Sequence, residues 1–148
     1  MNLLAPISTI MSRDLHVVLP DDNMALVKDI FDRKRINHIP VMRHGRIVGI
    51  INKTDFKAFY NCSVKNLDNK ATTQTLLRLH IAEEVMTNKV FMLEPTDNVS
   101  YALEILRDNI YTALPVLDGE KLVGMVTALD IVIALAKVKV STMNYKIF

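Results

Sequence analysis

Gly124-Met125-Val126-Thr127-Ala128-Leu129-Asp130 repeats a pattern first met 75 residues earlier as Gly49-Ile50-Ile51-Asn52-Lys53-Thr54-Asp55. In each stretch a short apolar run leads into a residue whose side chain can cap a helix, with an aspartate three positions on. A strand, a junction and a helix start are therefore predicted twice. At the same offset, residues 7–60 superpose on 82–135 without a gap: Met11 meets Met86, Pro20 meets Pro95, Pro40-Val41 meets Pro115-Val116, and Val48-Gly49 meets Val123-Gly124. Prolines and glycines constrain the backbone, so their joint repetition signals a duplicated fold.

Within each copy a first strand is predicted at residues 15–19 and 90–93, ended by a proline that cannot continue a ladder. The Asp, Thr and Asn that follow supply helix N-cap chemistry. Met24, Val27, Ile30 and Phe31, and in the second copy Val99, Ala102, Leu103 and Leu106, share one helical face. Strands at 39–42 and 46–51, and at 114–117 and 121–126, flank turns holding Gly45 and Asp118-Gly119, the signature of β-hairpins. A closing helix runs from Lys53 to near Tyr60 and from Ala128 to near Val138. The unit is βαββα and the fold class α/β. One such unit leaves an apolar face uncovered, so the two copies, 7–60 and 82–138, form a single module over 1–148. The segment 61–81 connects them, polar and loosely packed to Thr75, with a short helix suggested by Leu76, Leu77, Leu79 and Ile81.

Composition narrows the function classes. The 148 residues carry a formal charge of +2, with basic residues spread along the chain, which argues against nucleic acid as a partner. The most apolar run, 128–136, falls far short of the roughly 20 residues of a membrane span. The single cysteine, Cys62, cannot form an internal disulfide, and the start of the chain shows no secretory pattern; a cytoplasmic location is expected. None of the four histidines has metal-site spacing, and no nucleophile–base pair, Gly-rich phosphate loop or paired-carboxylate site is visible. Neither a metal, a catalytic residue nor a required cofactor is expected, and the chain is read as no enzyme.

These duplicated motifs, Ile10-Met11 and Val85-Met86, Ile39-Pro40-Val41 and Leu114-Pro115-Val116, and the terminal Gly-x-x-x-x-x-Asp, resemble a pair of CBS (cystathionine β-synthase) domains, a Bateman module. The resemblance covers nearly the whole chain. It implies that the βαββα repeats pack about a pseudo-twofold axis, leaving two related clefts that take adenine nucleotides. It also implies sugar and phosphate contacts from Thr127 and Asp130, and from Asn52 and Asp55 in the first copy, where Asn replaces the usual Thr or Ser. His38 stands where relatives place a phosphate-contacting basic residue.

Two readings of Thr127 and Asp130 stay open on spacing alone. Thr-x-x-Asp is a helix-capping pattern, and a carboxylate in a first turn is favoured by the helix dipole without any ligand. The same carboxylate can accept hydrogen bonds from ribose hydroxyls. Lys53 and His38 are candidates for phosphate or for plain solvated surface. Ala113, Leu114, Val90 and Met92 are candidates for the base slot or for core.

The leading expectation is a regulatory module sensing AMP, ADP, ATP or S-adenosylmethionine. The alternative is a dimerisation scaffold with vestigial clefts. Residues 131–136 are apolar all round, which implies a second buried face, with Phe56, Phe59 and Tyr60 behaving similarly in the first copy; a homodimer is expected. With no second domain in the sequence, the regulated partner is expected to be a separate chain.

Overall fold

Two antiparallel hairpins form the frame. The computed structural model, which describes residues 2–63, 69–108 and 110–137, pairs β1 (His38–Arg43) with β2 (Arg46–Asn52) and β3 (Ala113–Asp118) with β4 (Lys121–Thr127). The registers are equivalent, Pro40 opposite Ile50 and Pro115 opposite Met125, and both hairpins carry a bulge at the same place, after Val41 and after Val116. Two residues close each turn. His44 and Gly45 both have positive φ, as this tight a hairpin requires, and in the second turn Gly119 takes that role.

Helices α1 (Met24–Arg33) and α2 (Lys53–Ser63) flank the first hairpin, and α5 (Val99–Arg107) and α6 (Ala128–Ala136) the second; α3 (Lys70–Leu79) and α4 (Ala82–Val85) lie between the copies. The apolar faces are largely those expected. Met24, Val27 and Phe31 are buried in α1, and Val99, Ala102 and Leu106 in α5, but Leu103 is exposed. Asn23 caps α1, its Oδ1 accepting from Leu26 N at 3.1 Å. Asn98 makes no such side-chain bond. Instead the first donors of α5, Val99 N and Ser100 N, reach the carbonyls of Ala5 and Leu3, at 3.0 and 2.9 Å.

The predicted first strands shrink to one bridge each, Val18 beside Val41 and Leu93 beside Val116, both parallel. The cause is proline on both flanks. Val18 N donates to Pro40 O and Val18 O accepts from Met42 N. The next bond on one side would need the missing N–H of Pro40, and on the other that of Pro20. Pro115 and Pro95 stop the second copy in the same way, so a run that looks like a strand is held by a single pair of bonds.

The connection also differs from expectation. Residues 61–63 complete α2, and a ten-residue helix, capped by Asn69 Oδ1 on Ala71 N, begins at Lys70, well before the apolar cluster. Its Leu77 is fully buried in the first core, with Ala82. The segment that leads into and opens each copy thus serves the core of the other copy. Ile7 and Met11 belong to the core of the second repeat, while Leu77 and Ala82 belong to that of the first. Val138, the expected end of the last helix, lies outside the described residues.

This exchange explains the paired glycines and methionines. A Cβ on Gly124 would sit 2.5 Å from Met11 Sδ, and one on Gly49 2.6 Å from Met86 Sδ. The backbones are equally close: Ser12 and Met125 exchange two hydrogen bonds at 2.9 Å, and Thr87 and Ile50 exchange two at 2.8 and 3.0 Å. Each last strand is therefore bridged to the other copy's leading segment, which sets the walls of the clefts. Among the described residues no helix is long and apolar enough to cross a membrane.

Candidate functional site

At the end of β4 the chain turns into α6 through Thr127, whose extended backbone makes it the N-cap. Thr127 N donates to Asp130 Oδ2 at 2.8 Å, Thr127 Oγ1 donates to the same oxygen at 2.7 Å, and Asp130 N closes the box on Thr127 Oγ1 at 3.3 Å. A hydroxyl can donate and accept at once, which makes the reciprocal arrangement possible. The other oxygen, Oδ1, accepts from Ser12 Oγ at 3.1 Å, a contact spanning 118 residues. Asp130 is thus a helix cap and also the point where the leading segment of the first copy meets the second.

These residues edge a cleft of about 470 Å³, within the range of small-molecule sites. One wall is Met125 with Thr127 to Asp130; the facing walls are Ser12 to His16 and Arg35 to His38. The cleft is therefore built from both copies, with apolar area from Leu15 and Ile36 and guanidinium groups from Arg13 and Arg35. Arg13 is oriented by a bond from Nη2 to Ser8 O at 3.0 Å.

His38 lies at the start of β1 on the cleft wall, its Nε2 hydrogen-bonded to Thr112 Oγ1 at 3.0 Å. Burial pushes its pKa below the ordinary value, against the opposing pull of the Asp130 and Asp55 carboxylates.

The related cleft is far smaller, about 70 Å³, and is lined by Asn52, Ile50, Thr87, Val90, Tyr111 and Ala113 among others. Asn52 Oδ1 accepts from Asp55 N at 2.7 Å, the capping half of the junction. Tyr111 occupies the position of Ile36, stacked edge-on with Phe91 at a centroid distance of 6.0 Å.

The candidate residues are therefore divided. Thr127, Asp130 and His38 share the large cleft, whereas Asn52, Val90 and Ala113 line the small one. Leu114 is fully buried in the second core, and Met92 is exposed and lines neither cleft. Asp55 sits half-buried in the first turn of α2, and Lys53 lies over the Phe31 ring at 5.9 Å with its N–H on Asn37 O. The apolar lining beside Thr127 comes from Leu15 and Ile36 of the first copy, because the Ser12–Met125 bridge carries first-copy residues there. Arg35, Ile36 and Thr112 were not among the sequence candidates. The one local signal is that they lie just ahead of the Pro-containing strands.

The helix faces also separate. Phe56 packs on Phe31 and Tyr60, with centroids 5.5 and 6.0 Å apart, and Phe59 lies against His80 at 5.3 Å, so the first copy covers its aromatics within the chain. On α6 only Ile131 is buried; Leu129, Val132, Ile133 and Leu135 are 44–57% exposed. Among the described residues no cluster of three or more His, Cys, Asp or Glu is placed to hold a metal.

Comparison with known proteins gives a consistent picture. The family model of the CBS domain matches residues 7–61 and 82–137. The inosine-5'-monophosphate dehydrogenase of Thermoplasma acidophilum is 26% identical over 125 residues, 84% of this chain but 22% of that enzyme. The chain spans less than half the length of the curated relatives it matches. Two solved structures share the fold. CBSX2 in complex with AMP aligns with a TM-score of 0.72 and 21% identity, over 91% of this chain and 98% of that one. The CBS domain pair of protein MJ0100, in complex with 5'-methylthioadenosine and S-adenosyl-L-methionine, aligns at 0.73 and 23%, over 90% and 97%.

Proposed function

This chain belongs to the CBS domain family, carrying two copies of the unit, and we propose that it is a regulatory module that binds an adenine nucleotide in the cleft edged by Thr127 and Asp130. The observation that carries this reading is the 470 Å³ cleft itself, open and walled by both copies. A ligand there faces residues 12–16 and 35–38 on one side and Met125 with 127–130 on the other. Any preference for one relative setting of those walls converts binding into a shift between two states of the module. That two relatives of this fold bind AMP or S-adenosylmethionine supports adenine recognition. The enzymes among the relatives are matched over about a fifth of their length, so their catalysis does not transfer to this chain.

The open volume favours the ligand reading over a scaffold with vestigial clefts. The exposed apolar face of α6 supports a homodimer as the assembled form, and the lone exposed thiol of Cys62 fits a reducing cytoplasmic setting. The regulated partner is a further protein or domain. The test is thermal denaturation with AMP, ADP, ATP and S-adenosylmethionine. A ligand at one hundred times its dissociation constant stabilises by about 2.7 kcal/mol, and Asp130→Ala removes that gain. Absence of a shift with every nucleotide refutes the reading.

A further inference from the structure

The duplication supplies an internal control, because every lining position of the large cleft has a counterpart 75 residues away in the other copy. Their volumes differ, about 470 against 70 Å³, and the substitutions across the repeat account for it. Ile36 becomes Tyr111, and the larger ring, held by Phe91, fills space that the first copy leaves open. The chemistry of the walls changes as well. Arg13, His16, Arg35 and His38 line the large cleft; the equivalent positions carry Asn88, Phe91, Ile110 and Ala113. All four basic side chains are lost together, and Lys89, the repeat counterpart of Asp14, is the one cation in the small cleft's lining among the described residues.

We propose that the chain takes one ligand, in the large cleft alone, and that Arg13 and Arg35 select a nucleotide bearing an anionic phosphate over uncharged or cationic adenosine derivatives. This rests on the nucleotide reading above. Two guanidinium groups offer planar, permanently charged forks matched to phosphate oxygens. The acids of the lining do not cancel them equally. Asp130 already accepts three hydrogen bonds, from Thr127 N, Thr127 Oγ1 and Ser12 Oγ, which leaves Asp14 as the other carboxylate. A bare nucleoside or a thioether offers the arginines no anion, and S-adenosylmethionine offers a single carboxylate beside its ammonium and sulfonium charges, while a phosphate joined directly to the ribose gains charge-assisted bonds.

The experiment is isothermal titration of the full chain with AMP, adenosine, 5'-methylthioadenosine and S-adenosylmethionine. The expected result is one AMP per chain, bound at least about tenfold more tightly than adenosine or S-adenosylmethionine. Arg35→Gln, an exposed position, narrows the gap between AMP and adenosine and leaves adenosine binding unchanged, which a merely structural role would not do. Ile110→Glu, at the mouth of the small cleft, alters neither stoichiometry nor affinity. Two AMP per chain, with one lost in Ile110→Glu, overturns the single site. Equal binding of AMP and adenosine overturns the selection by arginine while the nucleotide reading stands. No binding of any of the four overturns both.

Discussion

Gly124→Ala is a sharp test of how the two copies are joined. Gly124 lies in β4 and is not in the left-handed region, so alanine is compatible with its backbone. On the unfolded chain alone the substitution is favourable by ~0.4–1 kcal/mol, through lost conformational freedom. Against this, the added Cβ lies 2.5 Å from Met11 Sδ, 2.8 Å from Met11 Cγ and 3.2 Å from Ser12 O. Met11 is flexible but 8% exposed, with the second core around it. Ser12 O cannot withdraw without stretching its bond from Met125 N. Overpacking of this kind costs about 1–3 kcal/mol, so the clash wins and the net effect is destabilising. For a domain near this size each kcal/mol lowers Tm by roughly 2–4 °C. The measurement is urea denaturation of wild type, Gly124→Ala, Met11→Ala and the double variant. Removing the Met11 side chain takes away the two closest atoms, so the cycle should show coupling of about 1 kcal/mol or more. Gly124→Ala also displaces Ser12 and Met125 from the cleft wall and so weakens nucleotide binding. A neutral or stabilising Gly124→Ala, or strict additivity with Met11→Ala, refutes this account of the joint.

Three further expectations concern the site and the assembly. Thr127→Ala removes half of a capping box and costs about 0.5–2 kcal/mol; Asp130→Ala costs a similar amount and additionally abolishes the ligand-induced rise in Tm, which a cap alone would not explain. Because burial holds His38 below the ordinary 6.5, the unfolded chain takes up that proton first on acidification. The stability linked to neutral His38 is complete above about 6.5 and is lost as pH falls through the folded value. A His38→Gln variant should therefore show a flatter stability profile on the acid side, measured by chemical denaturation across pH; an unchanged profile assigns the pH dependence elsewhere. Val132→Glu places a charge on the exposed face of α6 and should convert the proposed homodimer to monomer in light scattering at micromolar concentration, whereas Lys57→Glu, at the equivalent position of α2, should not.

Much of the fold was legible because its signals are local. The hairpins follow from apolar runs flanking the tight turns at Gly45 and Asp118-Gly119, and the helix faces of α1 and α5 from the spacing of Met24, Val27 and Phe31 and of Val99, Ala102 and Leu106. The first strands misled. Prolines 20 and 40, and 95 and 115, act on the ladder only once the partner strand is known. Asn98 misled for a related reason, since the donors it was expected to cap are met by carbonyls more than ninety residues away.

By itself the sequence determined the duplication, the order of elements and the Thr127–Asp130 cap, because each depends on residues a few positions apart and on an offset that can be counted. The tertiary structure decided which residues share a cleft. Ser12 pairs with Met125 and Thr87 with Ile50, so each cleft draws its walls from both copies. Leu15, Arg35 and Ile36 therefore stand beside Thr127 in place of Val90 and Ala113. It decided the asymmetry too, since the Tyr111 ring packed against Phe91 lines the smaller cleft where Ile36 lines the larger. Periodicity records what a chain does to its neighbours in sequence; which copy's leading segment covers which strand is set by hydrogen bonds and packing between residues about 40 and 110 positions apart.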